Sequence, residues 1–161
     1  MNNELEEIIK ILKRVPNEYI YWGDSVSKTE ILGFECRTGI KLPLDYVELL
    51  KHFNGINLMG ACLLGIPIDG GDPENLESVY DFEHYESANP MPLYLIPFSP
   101  DGGGNHYCFD TRNDTIVFWN SEYDYSDILP EIVYNTLAQM MRDVFIEWTI
   151  KEDDDISYIL D

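Results

Sequence analysis

The first apolar pattern of the chain predicts a helix over residues 3–13. Its apolar side chains recur at positions i, i+3, i+4 and i+7, namely Leu5, Ile8, Ile9 and Leu12. This spacing puts them on one face of an amphipathic helix. Asn2 or Asn3 is available as the N-cap, and Pro16 closes the segment.

Two more helices are expected before the pattern changes. The sequence from Ser27 to Glu30 has the form of a capping box, which opens a second helix that Gly39 ends. Pro43 suits the first turn of a third helix, which the pair 54–55, Asn-Gly, stops. Its apolar positions keep the helical spacing: Tyr46, Leu49, Leu50 and Phe53. We therefore predict three helices ahead of any strand.

From residue 57 onward the apolar runs become short and rich in β-branched residues, which is typical of strands. The runs are residues 58–66, 93–98, 106–110 and 115–119. Turn-forming sequences separate them, at 69–73, 101–105 and 112–114. The last two runs are close enough along the chain to form a hairpin.

Helical spacing returns after Pro130 and predicts a long C-terminal helix, about residues 130–149. Its apolar positions are Val133, Leu137, Met140, Met141, Val144 and Trp148. The order of helices, sheet and helix indicates an α+β fold with a central, mostly antiparallel sheet from about residue 58 to 119. With 161 residues and no repeat or break in composition, we expect one domain over residues 1–161.

The charge of the chain is strongly negative and unevenly placed. Ten Lys and Arg stand against 30 Asp and Glu, which gives a formal net charge of -20 and a pI near 4.2. Such a field repels polyphosphates and anionic lipid, so we expect neither nucleic-acid nor membrane binding. No Lys or Arg lies between Lys51 and Arg112. A second acidic run at 152–155 predicts a solvated acidic tail over residues 151–161.

The acidic N-terminal sequence and the wide spacing of the cysteines favour a location in the cytoplasm. Residues 1–12 carry three glutamates where a secretory signal would be basic. No stretch approaches the roughly 18 consecutive apolar residues that a membrane span needs. The cysteines at 36, 62 and 108 lie far apart without a CxxC motif, so neither a disulfide framework nor a zinc cluster is indicated.

The glycine-rich loop 101–105 invites two interpretations besides a plain turn. Successive backbone amides can surround a phosphate, but the loop lacks the spacing of known phosphate motifs and the carboxylates of Asp101, Asp110 and Asp114 would oppose an anion. Calcium would suit acidic turns, yet neither 101–105 nor 69–73 places oxygen ligands and glycine as an EF-hand loop requires. Weak divalent binding stays an alternative.

His106 and Cys108 alternate along one predicted strand and would share a face, which raises a zinc or thiol-nucleophile hypothesis. Two ligands do not complete a site, and Cys108 stands in an apolar run where a buried, inert thiol is common. We find no other nucleophile motif. The sequence therefore predicts a protein that is not an enzyme and has no cofactor or metal.

Two acidic stretches rich in tyrosine, 80–86 and 122–125, have the composition of a protein-binding surface. Tyrosine supplies rigid contact area, while carboxylates bind Arg and Lys. A merely solubilising face with its aromatics turned to the core is the alternative. The candidate partner-binding residues are Asp69, Asp72, Glu74, Glu77, Asp81, Glu83, Glu86, Tyr85, Glu122, Tyr123 and Asp124.

A resemblance to a known family covers about residues 27–146. One part is an acidic-Ile pair at 30–31, then Glu35, Gly39, Leu-Pro at 42–43, Asp-Tyr at 45–46, Leu50 and Asn-Gly at 54–55. A second part is Pro97, the Gly-rich turn 101–107, Phe-Asp at 109–110, the apolar strand 116–119 and a closing helix at 136–145. Together they resemble the SUKH superfamily in its yeast cell-wall-regulator-like (Smi/Knr) branch. Ile56-Asn57 and Thr136-Leu137 depart from the usual pattern.

The resemblance implies a non-catalytic protein-binding function. For bacterial members it implies an immunity protein that neutralises a partner polymorphic toxin, often a nuclease. Acidity fits that role independently, because nuclease clefts are basic and an acidic inhibitor associates with them rapidly. We therefore expect the partner to be a basic toxin catalytic domain. A regulatory or scaffold protein-binding module is the alternative.

Overall fold

A computed structural model describes residues 2–126 and 128–161 and contains five α-helices and seven strands within them. The helices are α1 (Asn3–Arg14), α2 (Lys28–Thr38), α3 (Leu44–Leu50), α4 (Leu76–Asp81) and α5 (Leu137–Met141). The strands are β1 (Ile20–Trp22), β2 (Ile56–Leu58), β3 (Ala61–Leu63), β4 (Leu95–Pro100), β5 (His106–Asp110), β6 (Thr115–Trp119) and β7 (Ile132–Tyr134). A π-helical turn (Phe82–Glu86) continues α4, and a longer π-helix (Arg142–Ile150) continues α5. A 3₁₀ turn (Ser157–Leu160) follows.

The predicted caps of the first two helices are confirmed. Asn2 Oδ1 accepts a hydrogen bond from the Glu4 amide, 2.9 Å, at the start of α1. At the start of α2, Ser27 and Glu30 exchange side-chain to backbone hydrogen bonds, both 3.1 Å, as a capping box requires. Gly39 ends α2 with a φ of 76°, a left-handed conformation that glycine adopts without strain.

The strands form two antiparallel sheets that adjoin one another. The first has the order β1-β2-β3 and the second β4-β5-β6-β7. The Leu64 amide donates to the Phe98 carbonyl, 2.8 Å, and Ser99 Oγ donates to the Cys62 carbonyl, 2.6 Å. These bonds join the end of β3 to β4. The α+β class and the β5–β6 hairpin are therefore as the sequence predicts.

Both faces of the second sheet are covered. Phe109 and Ile116 face the main core, together with apolar residues of α1, α3 and α5. Cys108 and Val117, their neighbours in the strands, point to the opposite face, because successive strand residues alternate. There they join Met91, Leu95 and Trp119 in a second, smaller cluster. The segment between α4 and β4 thus covers a sheet face that the sequence left unassigned.

Three predicted boundaries are wrong. β1 lies between α1 and α2, so three helices do not precede the first strand. The predicted strand over 58–66 is replaced by a hairpin over residues 56–63, since Met59 and Gly60 turn the chain with φ of 49° and 99°. The C-terminal helix starts at Leu137, where Thr136 caps it, and not after Pro130, because residues 132–134 form β7. Both missed strands have only three residues, too few to show alternation.

The predicted tail is solvated only in part. Residues 152–155 lie at the surface, as their charge indicates. Ile156 and Ile159 return to the main core, and the last turn packs against α1. Two apolar residues spaced three apart pull this acidic segment back onto the protein.

Asp110 supports a pH-dependence prediction. Its buried carboxylate accepts three hydrogen bonds from Arg112, at 2.8–3.0 Å. The Arg112 guanidinium in turn stacks on Tyr94, 3.6 Å from the centre of the ring. The Arg112 hydrogen bonds lower the pKa of Asp110 below its ordinary 3.8. Because this pKa is lower in the folded state than in the unfolded state, the stabilisation is complete above the unfolded value and is lost as pH falls below it.

We therefore expect Asp110→Asn to reduce the loss of unfolding free energy between about pH 5 and about pH 3. Urea denaturation across that range measures the slope. Asp114→Asn is the matched control, because Asp114 is exposed in the same hairpin turn and Asn also tolerates its positive φ of 58°. Equal slopes for Asp110→Asn and the unmodified protein would contradict the prediction.

Candidate protein-binding site

The acidic segment 72–86 is held in place by local hydrogen bonds. Asn75 and Ser78 form a capping box that starts α4, and Asp72 Oδ1 accepts from the Glu74 amide, 2.9 Å. Beyond the π-helical turn, the Met91 amide donates to the Glu83 carbonyl, 2.9 Å. Asn89 Nδ2 donates to the carbonyls of Ser121 and Tyr123. The Asn89 side chain therefore joins the residues that follow the first tyrosine-rich stretch to the second stretch.

The glycine-rich turn lies beside the same loop. Asp101 Oδ1 accepts from the amides of Gly103 and Asn105, at 2.7 and 3.1 Å, so the turn's own carboxylate occupies the amides that a phosphate would need. Asn105 Oδ1 accepts from the Ser121 amide, 3.0 Å. The turn, the 121–125 loop and the segment 82–91 therefore meet at one end of the second sheet.

The acidic surface contains two adjoining concavities. A cleft of about 260 Å³ lies beside the first sheet, and its charged lining residues are Asp24, Asp69, Asp72 and Glu74. A groove of about 620 Å³ lies between α4 and the 101–105 turn, with Glu74 and Glu83 as its carboxylates. Glu74 lines both, so the two concavities form one continuous surface. Neither is lined by a Lys or Arg among the described residues.

Most of the predicted contact residues are exposed on this side. Asp69, Asp72, Glu74, Asp81, Glu86, Glu122 and Asp124 are all exposed. Tyr85 and Tyr123 are 68% and 57% exposed, which favours a contact surface over aromatics turned inward. Asp124 accepts from the Ser126 amide, 2.9 Å, and hydrogen bonds from Ser126 lower its pKa, which keeps the carboxylate charged.

Two of the predicted contact residues are not free carboxylates on the open surface. Glu83 is buried, and its Oε1 lies 3.1 Å from His106 Nε2, although it still lines the groove. Glu77 accepts two hydrogen bonds from Arg37 of α2, at 2.7 and 2.8 Å, and these lower its pKa. The segment between Lys51 and Arg112 contains no Lys or Arg, but in the folded protein α2 brings Arg37 against it. Helix packing, which the sequence spacing does not reveal, makes this pair.

Three residues of the surface were missed. Phe82 is 50% exposed at the rim of the groove, while Tyr21 and Asp24 reach the cleft from β1 and the residues after it. The position of Phe82 within the acidic stretch 80–86 was a signal that could have identified it. The sequence contains no such signal for Tyr21 and Asp24, because they reach the cleft only through the pairing of β1 with β2.

The His106–Cys108 pair does not form a nucleophilic site. Both side chains are buried, and His106 Nε2 lies against Glu83 rather than the thiol. Burial raises the pKa of Cys108 well above its ordinary value, so the thiol stays protonated. Over residues 2–126 and 128–161, no three His, Cys, Asp or Glu side chains are arranged to hold a metal ion.

The residues that carry the family resemblance mainly hold the fold. Glu35 Oε2 accepts from the Leu42 amide, 2.8 Å, and the Tyr46 hydroxyl donates to the Leu64 carbonyl. Asn54 forms two hydrogen bonds with the Ile66 backbone, at 2.8 and 3.0 Å. The Asn54 pair, called the Asn54 clamp below, fixes the β2–β3 hairpin beside the cleft. The motif residues therefore hold the fold, and some of them also line the concavities: Asn54 and Gly55 in the cleft, and Gly102, Gly104 and His106 in the groove.

Comparison with known proteins agrees with the motif. Residues 28–139 match the family model described as SMI1-KNR4 cell-wall, SUKH_6. The SPbeta prophage-derived uncharacterized protein YokK of Bacillus subtilis (strain 168) is 28% identical over 151 residues, which covers 78% of this chain and 79% of that protein. None of the described helices has the length and apolarity to cross a bilayer. The family match spans most of the chain, and the protein belongs to the SMI1-KNR4 family of the SUKH superfamily.

Proposed function

We propose that this protein is an immunity protein that binds and neutralises a toxin whose catalytic domain is basic, of the nuclease class. One observation carries the proposal: the two adjoining concavities are lined by carboxylates and by no Lys or Arg among the described residues. A surface of this kind can face a cationic cleft without like-charge conflict. The exposed aromatics at its rim supply contact area that carboxylates lack.

Charge makes the association fast as well as selective. A nuclease cleft is positive because it binds phosphates, and carboxylates can take the positions of those phosphates. The net charge of -20 adds long-range attraction, which raises the association rate at low ionic strength. Inhibition then follows from occupying the cleft and needs no chemistry on the inhibitor.

Family membership supports the same role. Members of this family act through protein–protein interaction, and the relative described above is prophage-derived. The buried, protonated thiol of Cys108 and the contact of His106 with Glu83 agree with a non-catalytic protein. We accordingly propose that it acts stoichiometrically, in the cytoplasm, without a cofactor.

The test neutralises five exposed carboxylates of the surface together: Asp69→Asn, Asp72→Asn, Glu74→Gln, Asp81→Asn and Glu86→Gln. The probe is the product of the neighbouring gene, with complex formation, association rate and cell survival as readouts. We expect the association rate at low salt to fall at least tenfold, and its salt dependence to flatten, because steering charge is lost. Cell survival should fall with it.

A matched control removes five exposed carboxylates elsewhere: Glu18→Gln, Glu131→Gln, Glu152→Gln, Asp154→Asn and Asp155→Asn. The net charge changes equally, so the control separates local from global electrostatics. We expect its association rate to stay within about threefold of the original. If rate, affinity and survival are unchanged in the surface variant while it remains folded, the acidic surface is only solvated and the proposal is wrong.

A further inference from the structure

The groove between α4 and the 101–105 turn has a charged floor. Glu83 comes from the π-helical turn and His106 from the first position of β5. Their side chains meet at 3.1 Å between Oε1 and Nε2, and both line the groove. The Glu83 side chain is only 8% exposed. Glu83 is therefore absent from the open surface but still borders an open concavity.

This carboxylate is not fully satisfied. Among the described residues no group donates to Glu83 Oε2, and that atom is not sealed from solvent. His106 Nδ1 is sealed and also lacks a partner. A buried carboxylate with one hydrogen bond keeps much of its desolvation penalty. Because Glu83 lines the groove, a donor from another molecule that enters the groove can reach this oxygen.

The walls of the groove indicate what that donor is. Phe82 is half-exposed on one side, and Glu74 adds a second carboxylate. Gly102 and Gly104 border the opposite side, so no side chain narrows the mouth there. No Lys or Arg among the described residues lines the groove. An aromatic face beside two carboxylates suits a flat cation, which can stack and donate at once.

We propose that the groove is an anchor site for one arginine side chain of the protein partner, a statement that rests on the proposed function. The guanidinium stacks on Phe82 and donates to Glu83 Oε2, with Glu74 as the second counter-charge. Arginine fits better than lysine because its planar fork can stack and form two directed hydrogen bonds, and because it sheds water more readily. A phosphate would be repelled by both carboxylates.

The direct test titrates the full-length protein with Nα-acetyl-arginine amide and follows backbone amide and histidine ring signals by NMR. The citrulline analogue, of the same shape without charge, and the lysine analogue are compared at equal ionic strength. We expect saturable shifts at Phe82, Glu83 and His106 with the arginine amide, at least fivefold weaker binding of the lysine amide, and none with citrulline. Equal binding of citrulline, or shifts that do not saturate, would overturn the proposal.

Variants locate the binding on the groove. Phe82→Ala and Glu83→Gln should each weaken arginine-amide binding at least tenfold. Tyr85→Ala, an exposed aromatic outside the groove, and Asp69→Asn, a carboxylate of the other concavity, should change it less than twofold. Thermal melting shows whether Glu83→Gln stays folded. Phe82 is exposed, so Phe82→Ala tests the site even if the Glu83 variant unfolds.

The same variants separate this inference from the proposed function. If the neighbouring gene product binds and is neutralised equally by Phe82→Ala and Glu83→Gln, the arginine anchor is wrong while immunity stands. If the arginine amide binds as expected but the gene product is neither bound nor inhibited, the anchor stands and the immunity proposal fails. Tenfold weaker complex formation by both variants, with the control variant at Glu18, Glu131, Glu152, Asp154 and Asp155 within about threefold of the original protein, supports the two together.

Discussion

Gly65→Ala is expected to lower the free energy of unfolding by about 3 kcal/mol. A Cβ at this position would lie 2.6 Å from both the backbone oxygen and the side-chain oxygen of Asn54. The backbone cannot move away without breaking the Asn54 clamp on Ile66. Overpacking and strain on these two part-buried hydrogen bonds act together, and urea denaturation measures the sum of their effects.

Gly33→Ala is the matched control, and its expected change in the free energy of unfolding has the opposite sign. Gly33 lies inside α2, and a Cβ there would meet nothing within 4 Å. Alanine has the better helix propensity, so we expect a gain of about 0.5–1 kcal/mol. A Gly65→Ala protein as stable as the original would show that the Asn54 clamp does not hold the hairpin.

Phe98→Ala is expected to cost about 3–5 kcal/mol of unfolding free energy. The ring is fully buried and stacks on Phe109 with 3.9 Å between ring centres, while Tyr46 packs beside both. The Phe98 carbonyl also accepts the Leu64 amide that joins the two sheets. Truncation leaves a cavity at this junction, which the strands on either side cannot close.

Phe82→Ala is the control for this truncation. It removes the same ring from a half-exposed position, and a surface change of this kind alters stability by about 0.5 kcal/mol or less. Chemical denaturation of both variants compares them directly. A loss below about 1 kcal/mol for Phe98→Ala would mean that the junction repacks freely.

Elements that depend on neighbours in sequence were predictable. The Ser27–Glu30 capping box and the Asn2 cap each rest on side chains two or three residues from the amides they bind. The β5–β6 hairpin needs only a short turn between two strand-like runs. In each case the interaction that defines the element is already present in the local sequence.

Elements that depend on distant partners were not predictable. β1 is a strand only because residues 20–22 pair with residues 56–58, and β7 only because it pairs with β6. The helical spacing that begins at Val133 continues into α5, so pairing with β6 overrides a local helical pattern at residues 132–134. Tertiary contact decides these short segments, as it does for weak local preferences in general.

The candidate site divides in the same way. The exposure of Asp69, Asp72 and Glu74 follows from a polar turn sequence, and all three are exposed in the structure. The burial of Glu83 does not follow, because its neighbours Asp81 and Phe82 are exposed and a π-helical turn rotates Glu83 inward. The Arg37–Glu77 ion pair spans 40 positions, so no sequence window contains it.

The packing of α1 against α5 and the last turn bears on synthesis by the ribosome. Arg142 donates to Glu4 across 138 positions, at 2.9 Å, and the apolar face of α1 is buried together with residues 137–159. Until those residues emerge, Leu5, Ile8 and Leu12 lack the part of their packing that α5 and the last turn supply. The helix α1 therefore reaches its final packing only after residues 137–159 have emerged, and until then its apolar face is a natural binding site for chaperones that hold exposed apolar segments.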